Sequence, residues 1–148
     1  MKEFRNILFA TDFSESSDHA FQYAFSLAKK FQARLLIVHV INEPVDLRGF
    51  YVPHISFDKL EEEIEQGAQK MMEKFCHTHV RDFDNYETFI LQGIPYDEII
   101  KKGVELAADL IVMATHGRTG LDHMLFGSTA EKVVRRSPIP VMTVRKPL

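Results

Sequence analysis

The stretch Thr115 to Thr129, THGRTGLDHMLFGST, gathers residue types that could hold an anion. Gly117, Gly120 and Gly127 admit positive φ and let a ligand come close to the backbone. Ser128 and Thr129 bring hydroxyls and backbone N–H groups to what reads as a helix start, and unpaired N–H groups and the helix dipole favour negative charge there. Arg118 adds a cation. Together they describe a phosphate cradle, although turn formation alone also accounts for glycines between a strand and a helix. Two familiar phosphate loops are excluded by spacing. No lysine precedes Ser128, as GxxxxGK[ST] requires, and Gly117-x-x-Gly120 is not GxGxxG. Asp12 is the second candidate. It directly follows an apolar run, where a carboxylate can accept sugar hydroxyls, and it can equally cap a helix.

These groups need elements to position them. Arg5 to Thr11 and Arg34 to Ile41 are apolar runs of strand length, and between them Ala20, Phe21, Ala24, Phe25, Leu27 and Ala28 recur at helical spacing up to Phe31. Residues 42–56, with Pro44, Gly49 and Pro53, read as a loop. A polar helix follows from Phe57 to about His79, striped by Leu60, Ile64, Met71, Met72 and Phe75. Tyr86 to Leu91 is a third strand. Pro95 suits a first helical turn, and Ile99, Ile100, Val104 and Ala107 form that helix's apolar face. Asp109 to Ala114 is a fourth strand. Ser128 or Thr129 can cap a helix to about Arg136, and Val141 to Arg145 is a fifth strand. Strands alternating with helices predict one α/β domain over residues 1–148, an open parallel sheet with helices on both faces. In such sheets ligands sit at the carboxyl ends of the strands, where the winding reverses.

Composition narrows the classes. The 148 residues are 45% hydrophobic and 26% charged, ordinary globular values that exclude a disordered or fibrous chain. A net charge of -3 argues against general nucleic-acid binding. The apolar runs fall far short of the ~20 residues a membrane span needs. One cysteine, Cys76, suits a reducing compartment, and the charged start lacks a signal-peptide layout. A cytoplasmic protein without nucleic-acid or membrane partners is expected.

Other candidates carry plainer readings. Cys76, His77 and His79 are metal-ligand types, but no second cluster completes four ligands. His39 lies in an apolar strand and reads as a core histidine. His116 and His123 can approach phosphates but are mostly neutral at pH 7. Ser14, Ser16 and Ser17 lack a GxSxG elbow and read as helix caps. Met71, Met72 and Met113 read as packing residues. Arg135, Arg136 and Lys146 read as a solvated face.

The chain resembles the universal stress protein family, whose nucleotide motif is Gly-x-x-Gly, nine residues, then Gly followed by Ser or Thr. Gly117 matches the second glycine, residues 118–126 supply the nine, and Gly127-Ser128 matches the end. Ala114 stands where the first glycine usually is. The likeness extends to Ala10-Thr11-Asp12-Phe13-Ser14, His39-Val40, Gly93-Ile94-Pro95, DLIVMATHGRTG and the Pro138 to Val144 tail. The resemblance implies strand order 3-2-1-4-5, the adenine-nucleotide α-hydrolase-like arrangement. It implies a homodimer, here paired through Val141 to Arg145, and a role in the stress response. It also implies binding of ATP or a related adenine nucleotide with Mg2+ or Mn2+. Asp12 would then contact ribose, Thr11 and Val40 would line the adenine, and Gly117, Gly127, Ser128 and Thr129 would hold phosphates. The metal would ride on the phosphates, with Ser128 as a protein ligand. Ala10, Met113, Ala114, His116 and Arg118 complete the expected nucleotide-binding set. Ala114 is expected to weaken binding at most. Hydrolysis is expected to be very slow, since the loop lacks the P-loop lysine and a clear water-orienting residue.

Overall fold

The computed structural model describes residues 1–42, 57–117 and 126–147, excepting the side chains of residues 57 and 58. Arg118, Gly120, His123 and most of the loop expected over 42–56 lie outside the described residues. The elements run β1 (Asn6–Ala10), α1 (Glu15–Phe31), β2 (Arg34–Ile41), α2 (Phe57–His79), β3 (Tyr86–Gln92), α3 (Pro95–Glu105), β4 (Leu110–Ala114), α4 (Ser128–Arg136) and β5 (Val141–Val144). All strand pairs are parallel, and the order is β3-β2-β1-β4-β5.

β1 from Ile7 onward and all of β4 are continuously apolar because helices cover both faces of the sheet. Alternate residues serve opposite faces. Ile7, Phe9, Leu35, Ile37 and Val112 pack against Ala20, Phe21 and Ala24 of α1 and Met72 and Phe75 of α2. Leu8, Leu36, Val38, Ile111 and Met113 pack against Ile99 of α3 and Ala130 and Val133 of α4. Three details differ from the sequence expectation. Met72 is buried, whereas its neighbour Met71 is 42% exposed. On α3, Ile99 and Gly103 are buried, Gly103 with Ile139 where a Cβ would stand, while Val104 is exposed and Ala107 lies past the helix end at Glu105, exposed at φ 54°, so neither belongs to the apolar face expected of them. On α4 the N-cap is Gly127, and Ser128 and Thr129 are the first helical residues. Among the described residues no helix is long and apolar enough to cross a membrane.

The two central strands are tied at their starts. An oxygen of Asp109, just before β4, accepts the N–H groups of Arg5 (2.8 Å) and Asn6 (3.0 Å) at the start of β1. Partial burial acts to raise the Asp109 pKa. The N–H groups of Asn6 and Arg5 and the Lys2 ammonium outweigh it and hold the carboxyl below its ordinary value. A depressed carboxyl pKa stabilises the fold above the unfolded value of ~3.9, and that stability is lost as pH falls through the folded value. Asp109→Ala should therefore cost about 1–3 kcal/mol at pH 7. The deficit should shrink toward pH 3 in denaturant titrations at the two pH values. Cys76 is buried against the same core, and burial pushes its thiol up to about 11. The thiolate is the reactive form, so iodoacetamide at pH 8 should modify Cys76 only after denaturation, as mass spectrometry would show.

Candidate functional site

β1 and β4 are neighbours whose chains leave in opposite directions, β1 toward β2 and β4 toward β5. Their carboxyl ends therefore open a crevice at the switch point. A cavity of about 570 Å³ lies there. Ala10, Thr11, Asp12, Val40, Met113, Ala114, His116, Gly117, Gly127, Ser128 and Thr129 all line it. Every expected site residue within the described part of the chain is thus brought to one cavity. Arg118 lies outside the described residues.

Asp12 is held from below. Its Oδ1 accepts the Ser14 N–H at 3.0 Å and the Ser17 hydroxyl at 2.8 Å. Its Oδ2 faces Gly117 so closely that a Cβ on Gly117 would sit 2.3 Å from it. Neither Gly117 nor Gly127 has positive φ; Gly127 stands at φ -70°. Of the two roles expected for these glycines, positive φ is not used at Gly117 or Gly127; at Gly117 the need is for close approach, and the group that approaches is the Asp12 carboxylate. At Gly127 a Cβ would lie 3.3 Å from the Thr115 carbonyl, which already accepts the Gly127 N–H at 2.7 Å. That bond brings the loop back to the end of β4 and starts α4 at the cavity. No side chain caps α4. Gly127, Ser128, Thr129 and Ala130 line the cavity, so the first turn of α4, where N–H groups have no partner within the helix, lies at the cavity, as an anion site requires.

The β1 loop is shaped by Phe13, a bulky residue at φ 64°. Its N–H donates to Thr11 Oγ1 at 2.9 Å, and its ring packs 4.5 Å from that of His39. His39 is half-buried and lines the cavity, and its Nδ1 donates to the Thr11 carbonyl at 2.8 Å. It is thus a wall of the site as well as a packing residue. Thr11 N–H donates to Val38 C=O. Val40 presents its backbone groups on the same edge, past the last β1–β2 pair, Ala10↔Val38. Ala114 belongs to the α1–α2 core with Val112 and Val144, so its methyl has a packing place in that core. His116 is half-buried, with Nδ1 3.1 Å from Thr115 Oγ1. Ser17, Thr115 and the α2 residues Ile64, Ala68 and Met71 also line the cavity, and reasoning from the sequence did not place them there. Ser17 had a signal only as a cap. The α2 residues had none beyond helical spacing.

The sequence model of the universal stress protein family matches residues 3–145. The chain belongs to that family. Universal stress protein YxiE of Bacillus subtilis is 35% identical over 147 residues, covering 96% of this chain and 99% of YxiE. The structure of MJ0577, a universal stress protein of Methanocaldococcus jannaschii, matches with TM-score 0.86 at 27% identity, covering 99% of both chains. A universal stress protein solved in complex with cAMP matches with TM-score 0.63 at 22% identity, covering 97% of this chain and 98% of its own. That last likeness carries the fold alone.

Proposed function

We propose that this chain binds ATP or a related adenine nucleotide together with Mg2+ or Mn2+, and that it acts as a nucleotide-dependent regulator in the stress response. The observation that carries this is the pairing of Asp12 with Gly117, which sets a carboxylate and a close-approach backbone side by side at the switch point. Asp12 suits ribose hydroxyls. The start of α4, with Ser128 and Thr129, suits phosphates. The N–H and C=O of Val40, beyond the end of β1, suit the donor and acceptor edge of a purine. Among the described residues no group of three or more His, Cys, Asp or Glu could hold a metal ion by itself. The ion would therefore be held by the nucleotide's phosphates and the Ser128 hydroxyl, where it neutralises phosphate charge. We assign the physiological state to a homodimer paired through β5.

A ligand at 100 times its Kd adds about 2.7 kcal/mol of stability. ATP with Mg2+ should therefore raise the melting temperature clearly in a thermal-shift assay, and calorimetry should register heat. Neither signal at millimolar ATP would point instead to a dimeric interaction protein without nucleotide. A metal-dependent turnover of ~1 per second or more would make this an enzyme.

A further inference from the structure

We infer that Ser17 is a positioning residue that presets Asp12 for a sugar diol, so that selectivity for ribose over sugars lacking those hydroxyls is built into the first turn of α1. The inference rests on the nucleotide reading and adds the residue that gives the carboxylate its direction. Ser14 is the N-cap of α1, and its side chain accepts the Ser17 N–H at 3.2 Å. In a capping box, the side chain at the position of Ser17 would reach back to the N-cap N–H. Here the Ser14 N–H goes to Asp12 Oδ1, and the Ser17 hydroxyl goes to that same oxygen. The reciprocal half of the cap has been replaced by a carboxylate of the cavity. Ser17 is only 4% exposed, one of three buried polar residues among those described, and it lines the cavity beside Asp12.

The consequence is directional. An exposed Asp turns freely about its terminal torsion, whose wells are broad. With Oδ1 fixed by two donors, Asp12 cannot turn, and Oδ2 is set toward Gly117. Phe13, between Asp12 and the N-cap Ser14, stands at φ 64°. Holding an acceptor in its bound orientation removes an ordering cost that binding would otherwise bear. The gain falls only on ligands whose hydroxyls use that acceptor.

The test compares Kd values for ATP and 2′,3′-dideoxy-ATP by calorimetry, both with Mg2+. Wild type should prefer ATP. Ser17→Ala should weaken ATP by ~10-fold, the loss of one hydrogen bond to a charged group, and leave dideoxy-ATP nearly unchanged, so the ratio falls toward one. Ser17→Cys, close in size and a poorer donor, should lower the ratio partway and serves if the alanine variant does not fold. Ser14→Ala removes the cap but keeps the Ser17 hydroxyl. It should lower the melting temperature and retain the ratio. If Ser17→Ala weakens both ligands equally, or neither, Ser17 is structural only and the inference is overturned while nucleotide binding stands. If wild type binds neither ligand, the nucleotide reading itself fails and takes this inference with it.

Discussion

Gly117→Ala should weaken ATP binding by about 100-fold or more, some 3 kcal/mol, while the apo protein keeps its fold. The new methyl would lie 2.3 Å from Asp12 Oδ2, so either the carboxylate or the loop must move. The carboxylate resists, because Ser14 N–H and the Ser17 hydroxyl grip its other oxygen. The loop then moves, and with it the approach to the start of α4. Both responses dismantle the same site. Backbone strain plays no part, since Gly117 does not have positive φ. Global stability changes little, because Gly117 is half-buried at the cavity edge, away from the clusters around Phe9 and Leu8. Gly127→Ala should be milder, since its methyl meets the Thr115 carbonyl at 3.3 Å, a contact that a shift of a few tenths of an ångström relieves. Calorimetric titration of both variants, with melting curves for each, checks the ranking. Wild-type affinity in Gly117→Ala would remove the Asp12–Gly117 pairing as the basis of the site.

The parts of this site that lie along the chain were legible, and the parts that depend on folding back were not. Continuous apolar runs at β1 and β4 announce strands covered on both faces, and their carboxyl ends point to Asp12 and Gly117 without any structure. The order of strands was a different matter. Alternating strands and helices fit several windings, and only the likeness to a family selected the observed one. Helical spacing could not separate Met71 from Met72, because both fall on one broad stripe; packing against Phe9 and Phe21 buries the second and leaves the first at the cavity. Residue preference favoured Ser128 or Thr129 as the cap of α4. The bond from Gly127 N–H to Thr115 C=O decided otherwise, and no local pattern encodes a contact that closes a loop. Ser17 was hidden for the same reason: Ser-x-x-Ser before an apolar stripe describes a cap, and its reach to Asp12 spans a turn in which Phe13 stands at φ 64°.

Thr143→Pro should convert a dimer to a folded monomer. In the described residues β5 is the edge of the sheet, paired to β4 alone. Parallel pairing makes alternate residues of β5 face β4. The Ile111 N–H donates to Pro140 C=O and the Thr115 N–H to Val144 C=O, so residues 140, 142 and 144 turn their backbone groups inward. Val141, Thr143 and Arg145 turn theirs outward, where nothing in this chain's own sheet uses them. Such an edge is a template for another strand. A two-fold axis would pair it antiparallel with its own copy, and Val141 and Met142, each only partly buried in the isolated chain, would then be covered further. Proline at position 143 deletes an outward donor and leaves the β4 ladder intact, which is the setting in which an edge strand tolerates proline. Light scattering at micromolar concentration should therefore give a dimer for wild type and a monomer for the variant, with unchanged far-ultraviolet circular dichroism. Nucleotide binding should survive in the monomer, because the cavity is lined from β1, β2, β4 and the helices over them and takes nothing from β5. A wild-type monomer, or a variant that remains dimeric, would move the contact to another face.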